Sequence, residues 1–408
     1  MKKTLAALAV LGAFAAGSAY AADVTLYGYV DLGLKYSHVD DDIAGQDATD
    51  KLEMAAGNQS GNRFGLKGTE DLGNGYSVGF VLENGFSADD GKLAQNSRLF
   101  GREAQVHVTG PWGELAFGRM GQLTSGNGTY GLAGNLSPFG ASWAGSVELS
   151  TYMVGAQRMD NMVTYKSPTF AGVTVYAQYS FDNNTKDAWT GAADKALGND
   201  EGKATSNRYA GIGATYGNGG LNLVATADWY NWSNNNELDV ETSDKFDAGW
   251  DIDDGYAFTL GGSYDFGVVR TYLAGQYFDN MLMNSSTGDS IDKYAVIGQG
   301  TSGYIKGYAF MAGVDAPVFG GTAMFALGYA STEDAAVKTG AEKAESDRFG
   351  VGLGYTYALS KRTNLYGVAS WYQDSIDSEK LTDDAGKVSY RDRDPQTYQV
   401  IVGLRHRF

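Results

Sequence analysis

The chain has 408 residues, a formal net charge of -17, 57 glycines, 27 tyrosines, 5 prolines and no cysteine. Glycine at roughly twice its usual share of about 7% argues against a helical enzyme, and a 43% hydrophobic content argues against disorder. The acidic balance leaves no basic stripe for nucleic acid, the missing cysteine removes disulfides and thiolate chemistry, and His38, His107 and His406 are too few for most histidine-based metal sites or triads.

Met1, Lys2 and Lys3 form a short positive n-region, Thr4 to Ala16 an uncharged apolar run, and Gly17 to Ala21 a small-residue stretch with an Ala-x-Ala site. This is the layout of a bacterial secretory signal peptide over residues 1–21, cut after Ala21 or Ala22. The run is too short to span about 30 Å of hydrocarbon as a helix. Removing Lys2 and Lys3 leaves 22–408 as a single, still more acidic domain. No later stretch is long and apolar enough for a spanning helix, so an exported chain of this kind enters a membrane only as a closed barrel.

From Val24 to Tyr36 the chain alternates. Val24, Leu26, Gly28, Val30, Leu32, Leu34 and Tyr36 share one face, and Thr25, Tyr27, Tyr29, Asp31, Gly33 and Lys35 the other. Period two with one apolar and one polar face is a strand. The same pattern returns at Phe349 to Leu359 and in the last strand, where Tyr398, Val400, Val402 and Leu404 oppose Thr397, Gln399, Ile401, Gly403, Arg405 and Arg407. Short connections are expected at 71–75, 110–112, 167–172, 217–220, 265–267, 315–320 and 359–362. Long polar ones are expected at 38–60, 88–96, 120–156, 183–205, 233–253, 280–302, 333–345 and 376–394. The two classes alternate, which predicts an all-β fold: a 16-stranded antiparallel transmembrane β-barrel with short periplasmic turns and long external loops. Aromatics gather near strand ends, with Tyr36, Phe181, Trp232, Tyr277 and Trp371 on the long-loop side and Trp112, Phe170, Phe266, Phe319 and Phe408 on the turn side, as interfacial belts do. Side chains cannot fill the lumen of a barrel this wide, so a water-filled channel is the expected function.

The third long connection, 120–156, has no charged residue from Met120 to Val147. An exposed surface loop is the plain reading. A loop folded inward, narrowing the lumen with Tyr130, Pro138, Phe139, Gly140 and Trp143, is the reading favoured here.

The chain resembles the general, trimeric, sixteen-stranded porins of Gram-negative outer membranes, in the branch that includes neisserial and vibrio-type members. The resemblance is carried by LYGYVDLGL in the first strand, RFGLKGTEDLGNG at 63–75, GREAQV at 101–106, FGRMG at 117–121, NMVTYKSPTFAG at 161–172, YALSKRTNLYG at 357–367 and the terminal GLRHRF. It implies passive diffusion of small hydrophilic solutes and ions, a homotrimer, surroundings of lipopolysaccharide and outer-membrane lipid, and no cofactor. It also implies periplasmic chaperones and an assembly machinery that reads the terminal Phe408. Finally, it implies a basic half-ring facing an acidic inward third loop. By motif that ring takes Arg63, Arg102 and Arg158; Lys35 is inward by alternation, near the outer mouth. Alternation supports Arg63 and Arg158 but gives Arg102 the parity of Ala104, Val106 and Val108, which points it outward or leaves it open. The chain departs from the family at Ser137-Pro138-Phe139-Gly140, where no carboxylate stands nearby; Asp31, Glu114, Glu148 and Asp160 are the candidates to replace it.

Other readings weaken on inspection. Acidic runs at Asp40 to Asp42 and Asp247 to Asp254 fit solvated loops better than cation sites. Gly350-Val-Gly-Leu-Gly354 lies in mid-strand with no helix after it, so a nucleotide site is not expected. A membrane hydrolase lacks a Gly-x-Ser-x-Gly elbow, and an adhesin would need larger loops. The rival that remains is a substrate-specific channel for a sugar or an anion.

Overall fold

The computed structural model describes residues 24–43, 45–140, 154–155, 157–182, 206–231, 253–282, 304–335, 343–382 and 388–408; the expected signal peptide, Trp143, Glu148 and Trp232 lie outside them. The strand segments are β1 Thr25–Asp40, β2 Thr49–Ala56, β3 Arg63–Gly73, β4 Tyr76–Gly85, β5 Glu103–Gly110, β6 Gly113–Gly121, β7 Arg158–Lys166, β8 Val173–Ser180 and β9 Arg208–Asn218. They continue as β10 Leu221–Asn231, β11 Gly255–Asp265, β12 Arg270–Leu282, β13 Tyr304–Val318, β14 Gly321–Asp334, β15 Glu345–Ala358, β16 Thr363–Thr382, β17 Val388–Arg393 and β18 Gln396–Arg407. A short helix at Ala94–Ser97 and a 3-10 turn at Ala133–Asn135 interrupt the series.

All pairings are antiparallel, and β18 returns to β1, from Tyr29 opposite Arg407 to Asp40 opposite Gln396. Closure leaves no strand edge with unpaired backbone groups. β2 and β3 both pair with β1, and β17 and β18 both pair with β16. Each of these couples is one barrel strand with a break in it, so the ring has 16 strands.

The turns fall where glycine and asparagine put them. Asn74 and Gly75 take φ of 54° and 79° between β3 and β4, the left-handed pair that a tight hairpin needs. Two of the expected loops are partly strand instead. β1 runs to Asp40 with β2 resuming at Thr49, and β16 runs to Thr382 with β17 beginning at Val388. Pairing there outlasts the apolar alternation, because polar partners such as His38 and Asp50, 2.9 Å apart, hold the hairpin beyond the hydrocarbon.

Alternation sorts the two faces. In β11, Gly255, Ala257 and Thr259 are buried while Tyr256, Phe258 and Leu260 face out. Leu260 is 66% exposed and Leu273 68%. No water-soluble surface leaves such a girdle open; hydrocarbon covers it. Tyr308–Tyr329, Phe349–Trp371 and Trp371–Tyr398 ring contacts at 6.3, 6.1 and 6.4 Å form part of the loop-side aromatic belt, and Phe170, Phe266 and Phe319 stand exposed at the turn side.

Inside, the connection between β6 and β7 lies against the wall. The Leu123 amide donates to Gln178 of β8 at 2.9 Å, and the Tyr230 hydroxyl of β10 donates to Gln122 Oε1 at 2.8 Å. The Thr124 hydroxyl meets Thr226 at 2.7 Å and the Asp228 carboxylate. Val154 and Gln276 of β12 exchange bonds of 3.3 and 3.1 Å. Farther along, Pro138 reaches Gly313 of β13 and Phe139 reaches Gly354 of β15. A Cβ on those glycines would stand 2.7 Å from Pro138 Cδ and 2.6 Å from Phe139 Cε1. Ala257, Ala309 and Ala326, fully buried on the inner face, thin the same side of the barrel. The glycine- and alanine-rich strands leave room for an inward loop.

The membrane girdle gives a direct test. Leu260→Arg, at the middle of β11, is expected to lower folding stability by about 2–4 kcal/mol, the cost of arginine on a lipid face at mid-bilayer. Folding into phospholipid vesicles across a denaturant series measures it.

Candidate pore constriction

With the loop on the β8 to β15 side, the facing wall is built by β18, β1 and β3 to β7, and it is rich in arginine. Arg63 opens β3, Arg102 precedes β5, Arg119 lies on β6, Arg158 opens β7, Arg405 is near the end of β18, and Arg98 follows the short helix. Glu83 of β4 gathers two of them, accepting from Arg102 Nε at 2.6 Å with Arg63 Nη1 at 3.7 Å; the Tyr27 hydroxyl adds a bond of 3.1 Å. Asp160 of β7 gathers two more, Arg98 Nη1 at 2.7 Å and Arg119 Nη1 at 2.6 Å. Arg63 and Arg405 both stack on Tyr29, with Cζ 5.2 and 5.5 Å from the ring centroid, where the ring quadrupole attracts a guanidinium.

Like charges this close repel, and the shared carboxylates hold the array together. The Glu83 and Asp160 side chains are each 7% exposed, so their fields are poorly screened, and removing one partner of such a pair leaves a buried charge uncompensated. Arg158 differs. It donates to Asn127 Oδ1 of the loop at 3.0 Å and has no carboxylate within ion-pair distance among the described residues; its Nε is buried without a hydrogen-bond partner.

Arg63 and Arg102 therefore meet at Glu83, and Arg158 stands within coulombic range of both. Alternation misleads for Arg102 because β5 begins one residue later, at Glu103; the guanidinium turns inward and the residue is 6% exposed. Lys35 is not brought into this group. It lies level with Glu53 and Ile401, six residues along β1 from Tyr29, about 20 Å at about 3.4 Å per residue. In the loop, Tyr130 and Phe139 are buried and Gly140 takes φ +66°. Burial pushes the Tyr130 phenol up, and the Glu114 carboxylate that accepts its hydrogen bond at 2.8 Å adds to the effect, so the group stays a neutral donor.

Of the carboxylates suggested as substitutes for an acidic loop, Glu148 lies outside the described residues and the other three are already engaged. Glu114 holds Tyr130, Asp160 holds its arginines, and Asp31 accepts from the Gln59 and Ser60 amides at 2.8 and 2.6 Å. Glu103, 2% exposed, accepts from the Thr129 amide at 3.2 Å. Sequence reasoning left out Glu83, Arg98, Arg119, Arg405 and Tyr29. Alternation does place Arg405 on the inner face, but only the closure of β18 onto β1 reveals that it neighbours Arg63.

Residues 5–377 match the family described as Gram-negative porin. An outer membrane porin protein of Bordetella pertussis is 35% identical over 428 aligned positions, covering 100% of each chain. Outer membrane porin protein 32 of Delftia acidovorans is 31% identical, again over 100% of each. Among solved structures, the anion-selective porin from Comamonas acidovorans aligns with a TM-score of 0.64 at 27% identity, covering 95% of this chain and 100% of that one. A closed barrel girdled for lipid, hollow and polar within, and matched along its length by such relatives has one reading: the chain belongs to the Gram-negative porins and is an outer-membrane channel for passive diffusion of small hydrophilic solutes and ions.

Proposed function

We propose that this porin prefers anions, and that its constriction is the gap between loop 120–156 and the Arg63, Arg102 and Arg158 wall, with Lys35 above it toward the outer mouth. The observation that carries the reading is Arg158, a pore-wall guanidinium with no carboxylate partner among the described residues, facing a loop with no acidic residue from 120 to 147. Arg63, Arg98, Arg102, Arg119, Arg158 and Arg405 also outnumber Glu83, Glu103, Glu114, Asp160 and Asp31 on that side. The Comamonas porin, similar along its whole length, is named as anion-selective. Residues 1–21 act as the export signal and 22–408 as the barrel. The channel works as a homotrimer set in lipopolysaccharide and outer-membrane lipid.

Zero-current potentials across a KCl gradient test the preference. Chloride is expected to permeate better than potassium, and to do so still in high salt, where exposed charge is screened. Glu83→Gln should raise the chloride-over-potassium ratio and Arg158→Gln should lower it, each by about twofold or more, as expected for one unit charge a few ångströms from the ion path. A potassium-selective wild type would refute the reading.

Diffusion without a dedicated solute predicts that liposomes carrying the protein swell in sugars at rates that fall smoothly with solute size. One sugar far off that curve would support a substrate-specific channel instead.

Phe408 sits at the seam of the barrel. Its amide donates to the Gly28 carbonyl at 3.1 Å and its carbonyl accepts from the Gly28 amide at 3.2 Å. Deleting Phe408 is expected to lower the amount of protein in the outer membrane several-fold, measured on fractionated cells; unchanged levels would count against a role in assembly.

A further inference from the structure

Between β2 and β3 the residues Gly57 to Asn62 leave the sheet and turn toward the lumen. The break is tightly made: Asn58 and Asn62 are 2% and 4% exposed. Asp31 of β1 holds it. One carboxylate oxygen accepts from the Gln59 and Ser60 amides at 2.8 and 2.6 Å, and the other accepts from the Tyr366 hydroxyl at 2.5 Å. The Asp31 backbone joins in, its carbonyl accepting from the Gly57 amide at 2.8 Å and its amide donating to Asn62 Oδ1 at 2.6 Å. Asn58 Nδ2 donates to the same Tyr366 hydroxyl at 3.0 Å. A carboxylate buried this deeply is held only because its lone pairs are satisfied, so the clamp is a unit.

The arginines lean on this break from both sides. Arg63 Nε donates to the Gly61 carbonyl at 2.9 Å. Arg405 Nη1 donates to Ser60 Oγ at 2.8 Å, and its Nε to Asn364 Oδ1 at 3.1 Å. Arg102 passes so close that a Cβ on Gly61 would stand 2.9 Å from its Nη1. Arg405 has no carboxylate within ion-pair distance among the described residues. It is held by neutral acceptors and by the Tyr29 ring it shares with Arg63, so its charge is left to act on the lumen.

We propose that the 57–62 break, clamped on Asp31, is a second inward element of the pore that aims Arg63 and Arg405, and that Arg405 contacts permeating anions. Asp31 and Tyr366 are positioning residues; Arg405 is a selectivity residue. This rests on the anion preference proposed above, but its test compares variants with wild type and so stands apart from the wild-type sign.

The test uses the full-length protein in planar bilayers under a KCl gradient, with folding followed by the heat-dependent shift in gel mobility. Arg405→Gln should lower the chloride-over-potassium ratio by about twofold or more. Asp31→Ala separates charge from position. Removing a negative charge alone would raise the ratio, whereas releasing the clamp lowers it and increases single-channel conductance. Tyr366→Phe takes one hydroxyl from the clamp without changing charge and should shift the ratio in the same direction by less. A ratio in Asp31→Ala at or above wild type overturns the clamp. Where that variant does not insert, an unchanged ratio in Tyr366→Phe overturns it. An unchanged ratio in Arg405→Gln removes that residue from the selectivity path. A potassium-selective wild type refutes the anion preference, while the variant shifts still decide the clamp.

Discussion

The pairing of β1 with β18 is the contact on which the rest of the molecule depends. A peptide group left unpaired in hydrocarbon costs several kcal/mol, so a sheet can cross a bilayer only when its two edges meet. Here they meet over twelve register positions, from Tyr29–Arg407 to Asp40–Gln396. Closure then dictates what each strand can carry. Outward positions face lipid and are apolar, as at Leu260, while inward positions face water or the folded loop and are free to be polar. It also brings the first and last strands together, which is why Tyr29, Arg63 and Arg405, far apart in the chain, share one aromatic ring.

Within the closed wall the lumen divides into two unlike halves. From β8 to β15 the inner face is thinned by glycine and alanine, and the loop lies on it through Gln122, Thr124, Pro138 and Phe139. On the other half the wall is lined by arginines tied to Glu83 and Asp160. The division is physically consistent. The uncharged loop packs Pro138 and Phe139 against small residues and meets the buried Asp228 carboxylate with a neutral hydroxyl, Thr124, while the arginines of the other half are held by Glu83 and Asp160. The loop meets the arginine wall through a neutral amide, Asn127, at Arg158.

Much of the fold was legible because period two survives in nearly every strand, and because turn chemistry such as Asn74-Gly75 marks the hairpins. Legibility failed where other forces hold the chain. Strand pairing continues between β1 and β2 and between β16 and β17 through stretches of loop-like composition, so these stretches read as loop. Arg102 was ambiguous because parity applies only inside a strand, and β5 starts after it. Glu83 and Arg405 were out of reach for another reason: alternation shows which way a side chain points but not which strands become neighbours in the closed ring. At the break, Gly57-Asn-Gln-Ser-Gly-Asn62 has loop composition, four of its residues falling within the expected 38–60 connection; its inward course depends on Asp31, twenty-six residues before Gly57.

The net charge of -17 and a basic lumen are compatible because electrostatics is local at this scale. Exposed charges are screened over about 8–10 Å in physiological salt, and much of the acid stands well away from the lumen arginines. Asp40 to Asp42 close β1 at its outer end, and Asp279, Glu345, Asp347 and Asp377 line an outer-surface recess at the loop ends of β12 to β16, where Lys306 pairs with Glu333. These charges set the ionic atmosphere at the mouth. In the proposed gap the guanidiniums act at short range, where one unit charge at about 4 Å is worth about 4 kcal/mol at an effective dielectric near 20, against about 1 kcal/mol in bulk water. Mouth and gap act in series, and the narrowest element governs discrimination. The net charge of the whole protein therefore says little about the charge of the arginine-lined wall.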